Sequence, residues 1–370
     1  MKVWVVFGTR PEAIKMAPVV HALQKTPGIT PIVVSTGQHQ ELLLPVLEHF
    51  DIKPDLTFTA MKSGQNLNQL SQRVLGFIDE ELNRDTPDYV LVHGDTTTSA
   101  MAAIAAFHCR VPVGHVEAGL RTGDMTAPFP EEMNRSLVGR IAQLHFAPTT
   151  SSSQNLLREN VKQSTIHVTG NTVIDALYFT RDWMEKTGWT PDIDALRSLD
   201  PEKRTVLITG HRRENFGDGF ANICAAIKQL AEKFSDWQFV YPVHLNPNVQ
   251  EPVNRILRGL NNVHLIDPLG YRPFIWLMQF SDIILTDSGG IQEEGPAIGK
   301  PVLVMREVTE RPEAVEAGTV ALVGNSTAGI VNKASQLMSD ASLRDSMGRQ
   351  ISPYGDGTAS QQIADILKLL

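Results

Sequence analysis

Short apolar runs and longer stretches of helical spacing alternate along almost the whole chain. The runs fall at residues 3–7, 31–35, 89–92, 113–116, 145–147 and 166–169, and resume at 206–209, 239–242, 263–266, 283–286, 302–305 and 321–323. Rich in β-branched residues, they predict short strands, and the segments between them predict helices. Regular alternation of the two predicts parallel sheets covered by helices on both faces. The polar segment 185–203, with Gly188, Pro191 and Pro201, separates the two series. The pattern therefore predicts an α/β chain of two domains.

In open parallel sheets, ligands bind beyond the carboxyl ends of the strands. Polar residues crowd that position here, in His93-Gly94-Asp95, His115-Val116-Glu117, Gly210-His211-Arg212-Arg213 and His244-Leu245-Asn246. Two strand-to-helix turns carry glycine beside a small polar residue: Gly8-Thr9-Arg10-Pro11 and Ser288-Gly289-Gly290. Backbone N–H groups at such a helix start, approached closely at glycine, form an anion site. One such turn in each half predicts a phosphorylated ligand gripped by two domains.

A length of 370 residues fits two domains. The net charge of -8 excludes nucleic acid and anionic membranes as main partners. Cys109 and Cys224 are the only cysteines and stand in helical contexts, which predicts two thiols in a reducing compartment. The N-terminal apolar stretch is too short for a signal peptide, and no apolar run approaches a membrane span. A cytoplasmic protein is expected.

Arg10 and Lys15 flank the helix-starting Pro11 as a candidate phosphate grip. Asp95, Glu117 and Glu131 come from adjacent loops of the first half, and together they form a candidate acid–base set. Each also has a structural reading: Asp95 as a helix cap, Glu117 paired with Arg121, Glu131 paired with Arg135 one turn on. His93-x-Asp95 and His115-x-Glu117 point alternate residues to opposite faces, so no metal is expected. In the second half, Ser288, Gly289 and Gly290 are candidates for phosphate, Glu294 for a ribose, and Phe274 for stacking on a base. His211 and Arg311 stand beside them as polar candidates at a strand end and a helix start. Neither a G-x-G-x-x-G nor a G-x-x-x-x-G-K-[ST] pattern occurs, so no nicotinamide cofactor or other cofactor is expected.

Taken together, these segments resemble the bacterial non-hydrolysing UDP-N-acetylglucosamine 2-epimerases over essentially the whole chain. The likeness runs through Phe7-Gly8-Thr9-Arg10-Pro11-Glu12, His93-Gly94-Asp95-Thr96-Thr97, His115-Val116-Glu117-Ala118-Gly119, Pro130-Glu131-Glu132 with Asn134-Arg135, and Gly170-Asn171-Thr172. It continues through His211-Arg212-Arg213-Glu214, His244-Leu245-Asn246-Pro247, Asp287-Ser288-Gly289-Gly290, Glu310-Arg311-Pro312-Glu313 and Pro353-Tyr354-Gly355-Asp356-Gly357. The resemblance implies the glycosyltransferase-B architecture, two Rossmann-like parallel-sheet domains facing across a cleft. The expected domains are residues 1–170 with 355–370, and 171–354. It implies reversible conversion of UDP-GlcNAc to UDP-ManNAc, which feeds surface polysaccharide, and a homodimer is the expected assembly. By the family pattern Phe274 packs on uracil, Glu294 holds ribose, and Ser288, Gly289 and His211 meet the diphosphate with Arg10. Asp95, Glu117 and Glu131 are the catalytic carboxylates, with Arg135 and Arg311 in the sugar pocket. Some members bind a second UDP-GlcNAc as activator. The corresponding stretch here is Gln38-His39-Gln40-Glu41, with Gly64 where those members carry arginine.

The C2 proton of such a sugar is barely acidic until the bond from C1 to the nucleotide oxygen breaks. Departure of UDP raises positive charge at C1, and a carboxylate then removes the proton to leave 2-acetamidoglucal. Three other activities stay open on these residues: a hydrolysing relative releasing ManNAc, a glycosyltransferase of the same fold, and a sensor that binds without turnover.

Overall fold

The computed structural model describes residues 1–37, 40–62, 64–349 and 351–370. Gln38 and His39 of the stretch matched to an activator site lie outside the described residues. The chain divides into two compact units, Met1–Phe179 with Tyr354–Leu370, and Thr180–Pro353. The first crossing, expected at 170/171, falls between Phe179 and Thr180, inside the continuous helix Thr172–Thr187. A helix has no composition break to mark such a point, which is why the sequence places it earlier. The second crossing lies at 353/354, one residue before the expected place.

The first unit holds β1 (Lys2–Phe7), β2 (Thr30–Ser35), β3 (Leu56–Thr57), β4 (Tyr89–His93), β5 (Val113–Val116), β6 (Leu144–Ala147) and β7 (Ile166–Val168). They form one sheet in the order β3-β2-β1-β4-β5-β6-β7, every pair parallel. The second unit holds β8 (Arg204–Thr209), β9 (Trp237–Pro242), β10 (Val263–Ile266), β11 (Ile283–Thr286), β12 (Val302–Val304) and β13 (Val320–Leu322). These are also all parallel, in the order β10-β9-β8-β11-β12-β13. Residues Val3 to Phe7 of β1 are all fully buried, because helices cover both faces of a parallel sheet. Each unit has its own core: Trp4, Val6, Ile78 and Val92 in the first, Phe220, Phe239, Tyr241 and Leu337 in the second.

Strand order reverses between β1 and β4 in one sheet and between β8 and β11 in the other. Such switch points open a crevice at the carboxyl ends of the strands. The loops after β1 and β4 carry Arg10 and Asp95; those after β8 and β11 carry His211 and Ser288. The helix Ala359–Lys368 belongs to the first unit and packs on the helix Arg10–Lys25. No helix among the described residues is long and apolar enough to cross a membrane.

Candidate active site

In the first unit, Asp95 sits directly after β4. It does not cap the following helix; Thr96 does, accepting the Ser99 N–H at 3.1 Å. The carboxylate of Asp95 instead meets Arg135 at 2.6 Å, and its carbonyl accepts from Asn134 Nδ2 at 2.9 Å. Arg135 also lies 3.4 Å from Glu132, and no ion pair joins it to Glu131 among the described residues. Glu132 is occupied structurally, accepting the N–H groups of Thr122 and Gly123 at 3.0–3.1 Å. Glu131 opens the helix Glu131–Ile141 and is half-buried.

Glu117 follows β5 with φ at +61°, a left-handed conformation that costs a non-glycine residue about 1–3 kcal/mol. Arg121 is not its partner; that side chain binds Glu159 at 2.6 and 2.9 Å. Three other elements converge on Glu117 Oε2: Lys15 Nζ in a buried ion pair, Asn171 Nδ2 at 2.8 Å, and His93 Nε2 at 3.6 Å. The ammonium of Lys15, expected behind a phosphate, thus faces a carboxylate.

The environments of the two carboxylates push them in opposite directions. Burial raises Asp95 above the usual carboxylate range; Arg135 offsets part of this, while nearby Glu117 and Glu131 add to it. Burial also acts to raise Glu117, but Lys15 and His93 outweigh it and hold the group well below its usual range. His115, fully buried, is pushed down to about 3 by loss of solvent and stays neutral, with Nε2 bonded to the Gly94 carbonyl at 2.7 Å.

The two turns read as anion sites differ. After β1, Glu12 fills the turn with its own carboxylate: Oε2 accepts from Gly8 N–H at 3.1 Å, Thr9 N–H at 2.8 Å and Thr9 Oγ1 at 2.8 Å. Oε1 accepts from Thr96 and Ser99 hydroxyls at 2.7 and 3.0 Å. The amides of Gly8 and Thr9 already serve an internal anion, which corrects the expectation of a phosphate nest there. Arg10 remains at this helix start, half-exposed. Its sequence signature was Thr9-x-x-Glu12, a capping box.

After β11, the buried Asp287 turns away, accepting from the N–H groups of His211 at 3.0 Å and Arg212 at 2.9 Å. Ser288 is the N-cap of the helix Gly289–Ala297 and makes no side-chain cap bond, so its hydroxyl does not block the helix start. A Cβ on Gly289 would lie 2.7 Å from Arg311 Nη1 and 3.4 Å from Arg212 Nη2, so glycine lets the Arg311 guanidinium close on the helix without shifting. Arg311 is held by Glu293 and by Glu310 at 2.9 Å. Glu294 folds back over Gly290, 3.6 Å from the place of its missing Cβ. The half-exposed His211 ring stacks on His244 at 5.4 Å, and burial lowers its proton affinity against the opposing pull of Asp287. Phe274 stands half-buried in the first turn of the helix Tyr271–Phe280. No group of three or more metal-ligating side chains gathers among the described residues.

Asn171, Asn134 and Asp287 were not singled out from the sequence. Their importance lies in the partners they hold, which come from distant segments.

A parallel sheet carrying three clustered carboxylates, and a second one ending in an arginine-ringed glycine helix start, define a two-domain Rossmann-like enzyme of the glycosyltransferase-B type. The chain belongs to the UDP-N-acetylglucosamine 2-epimerase family, whose pattern it matches over residues 21–368. It is 55% identical over 376 residues to the UDP-N-acetylglucosamine 2-epimerase of Escherichia coli O157:H7, covering 100% of this chain and 98% of that protein. Its fold superposes with a TM-score of 0.94 on UDP-GlcNAc 2-epimerase from Neisseria meningitidis bound to UDP-GlcNAc, at 48% identity and full coverage of both chains. The Methanocaldococcus jannaschii UDP-GlcNAc 2-epimerase, solved with UDP-GlcNAc and UDP, matches at TM-score 0.81 and 30% identity, again over both whole chains.

Proposed function

We propose that the protein inverts C2 of UDP-GlcNAc to give UDP-ManNAc, reversibly, by elimination and re-addition of UDP. The observation that carries this is the clustering of Asp95, Glu117 and Glu131, with Asp95 and Glu117 in opposed electrostatic environments, in a chain of this family. The bond from C1 to the β-phosphate oxygen breaks, and its electron pair leaves with UDP. The proton on C2 passes to a carboxylate as the C1–C2 double bond of 2-acetamidoglucal forms. Return of a proton to the opposite face, with re-addition of UDP at C1, completes inversion. No oxidant is needed.

Asp95, which burial raises above the usual carboxylate range while Arg135 offsets part of the shift, is more basic than Glu117 and is assigned the proton transfer. Glu131 serves as the proton carrier for the other face. Glu117 is held ionised and is a poor base, so its role is to oppose the positive charge that grows at C1. Arg135 positions Asp95. The helix start at Ser288, Gly289 and Gly290 takes the diphosphate, with His211 and Arg10 as further donors and Arg311 on the sugar. Glu294 takes the ribose hydroxyls and Phe274 packs on uracil. Lys15 acts through Glu117. A supply of ManNAc-derived sugar for surface polysaccharide, a homodimeric assembly and a cytoplasmic site of action complete the reading; the free thiols Cys109 and Cys224 suit that compartment.

Turnover of UDP-GlcNAc in deuterium oxide tests it. UDP-ManNAc carrying deuterium at C2 is expected. Free ManNAc as the main product would favour the hydrolysing alternative, and inversion with C2 hydrogen retained would refute elimination. Asp95→Asn should lower kcat by about 10²–10⁴-fold with UDP affinity nearly unchanged.

A further inference from the structure

Glu117 stands in a conformation that L residues rarely adopt, at φ +61°, and its charge is fixed by contacts rather than by solvent. The groups facing it are Lys15 from the helix Arg10–Lys25, His93 from the end of β4, Asp95 from the following loop, and Asn171 ahead of the helix Thr172–Thr187. Of these only Asn171 has no titratable group, and it is 2% exposed. Its side chain is used at both ends. Nδ2 donates to Glu117 Oε2 at 2.8 Å, while Oδ1 accepts the Val173 N–H at 3.1 Å at the start of the helix. Its own N–H donates to the Tyr354 carbonyl at 2.6 Å.

That last bond ties it to a segment of chain nearly two hundred residues away. Gly170 has φ +89° and Gly355 has φ +129°. A Cβ on Gly170 would lie 3.0 Å from Gly355 Cα and 3.1 Å from the Tyr354 carbonyl oxygen. Two glycines are thus required for the strands of chain to approach closely enough for the bond.

We infer that Asn171 is a positioning residue that orients the carboxylate of Glu117 toward the reacting carbon, and that the returning segment at Tyr354 fixes Asn171 in turn. The inference rests on the assignment of Glu117 to the chemistry. The amide suits this place because it gives Glu117 a directional donor without adding a charge. Lys15 supplies charge on a flexible stem, and Asn171 supplies the angle. A displacement of about 1 Å at a reacting group costs on the order of 10²-fold in rate, whereas substrate affinity is set elsewhere.

Two substitutions isolate the contact. In Asn171→Ser the hydroxyl still caps Val173 N–H, but the donor to Glu117 is gone. In Asn171→Asp the cap is also kept, and a carboxylate replaces the donor. For Asn171→Ser we expect kcat for UDP-GlcNAc to fall about 10- to 100-fold, with KM within about threefold and thermal unfolding close to wild type. Asn171→Asp should fall further at neutral pH and regain part of its kcat as pH is lowered, because the protonated carboxyl donates to Glu117. Asn171→Ser should show no such recovery. Glu117→Gln is measured alongside. If it reduces kcat while Asn171→Ser retains wild-type kcat and Asn171→Asp shows no recovery with acid, this inference is overturned alone. If Glu117→Gln turns over at the wild-type rate, the assignment of Glu117 is overturned and the inference with it.

Discussion

Lys15 and Glu117 meet with side chains only 15% and 8% exposed, so the pair lies where water screens little. Removing one member of a buried pair costs about 3–5 kcal/mol, because the other charge is left uncompensated. Lys15→Met should lose that much at neutral pH. The sign of the pH dependence follows from Glu117, which burial raises but Lys15 and His93 hold well below its ordinary value of 4.5. A carboxyl depressed on folding contributes stability that is present above the ordinary value and lost as pH falls below it toward the folded one. In the variant this contribution is diminished, so wild type and variant should converge in stability on acidification. Urea unfolding at neutral and acid pH checks this, and a gap that stays constant would exclude the pair as its source. The placing of Asp95 and Glu117 at strand ends and of Glu131 at a helix start was legible in the sequence. Their division into a raised Asp95 and a depressed Glu117 was not. Burial raises Asp95, and Lys15 with His93, from other elements, depresses Glu117; neither is visible in local spacing, which pointed to the wrong pairs.

At the scale of elements, strand runs such as 113–116 and 283–286 appear as read, because strands buried on both faces are apolar at consecutive positions. The edge strand β3 escaped, since Leu56–Thr57 is too short and too exposed to leave a pattern. The turn after β1 was legible as a helix start but misread as a phosphate nest. The same N–H groups serve either purpose, and only the folded position of Glu12 decides between them. Glu12 is 1% exposed and receives two backbone N–H and three hydroxyl donors. Hydrogen bonds to a charged group contribute about 1.5–3 kcal/mol each, and donors left unmet in the interior cost more than bonds never made. Glu12→Ala should therefore destabilise the protein by at least about 3 kcal/mol, and Glu12→Gln by less, since the amide oxygen keeps part of the acceptor set. Denaturant melts of the two variants test the order. Equal stability of Glu12→Ala and wild type would mean that the turn is satisfied from elsewhere.

Over the whole molecule, the chain leaves its first unit near residue 179 and returns at Tyr354, so that unit is closed by residues from both ends of the sequence. The returning helix Ala359–Lys368 buries Ile363, Ala364 and Leu367, and Asp175 Oδ1 accepts the Ser360 N–H at 2.7 Å. Burial of two large aliphatic side chains contributes roughly 1.5–3 kcal/mol each. Together with the bonds at Asn171 and Asp175, this is comparable with the net stability of about 5–15 kcal/mol that a domain has to lose. The second unit has its own core around Phe220, Phe239 and Leu337 and contains the Ser288, Gly289 and Gly290 helix start. A chain ending at Pro353 should then fail in a specific way. Calorimetry should lose the unfolding transition of the first unit, and epimerisation should disappear. UDP should still bind, through the second unit, with affinity lowered to the extent that Arg10 contributes. Such a separation follows only if the return segment completes the carboxylate-bearing unit and the nucleotide is held by the other. Loss of UDP binding together with the first transition would place the nucleotide's main contacts in the first unit, and full activity of the shortened chain would show that Asn171 keeps its place without Tyr354.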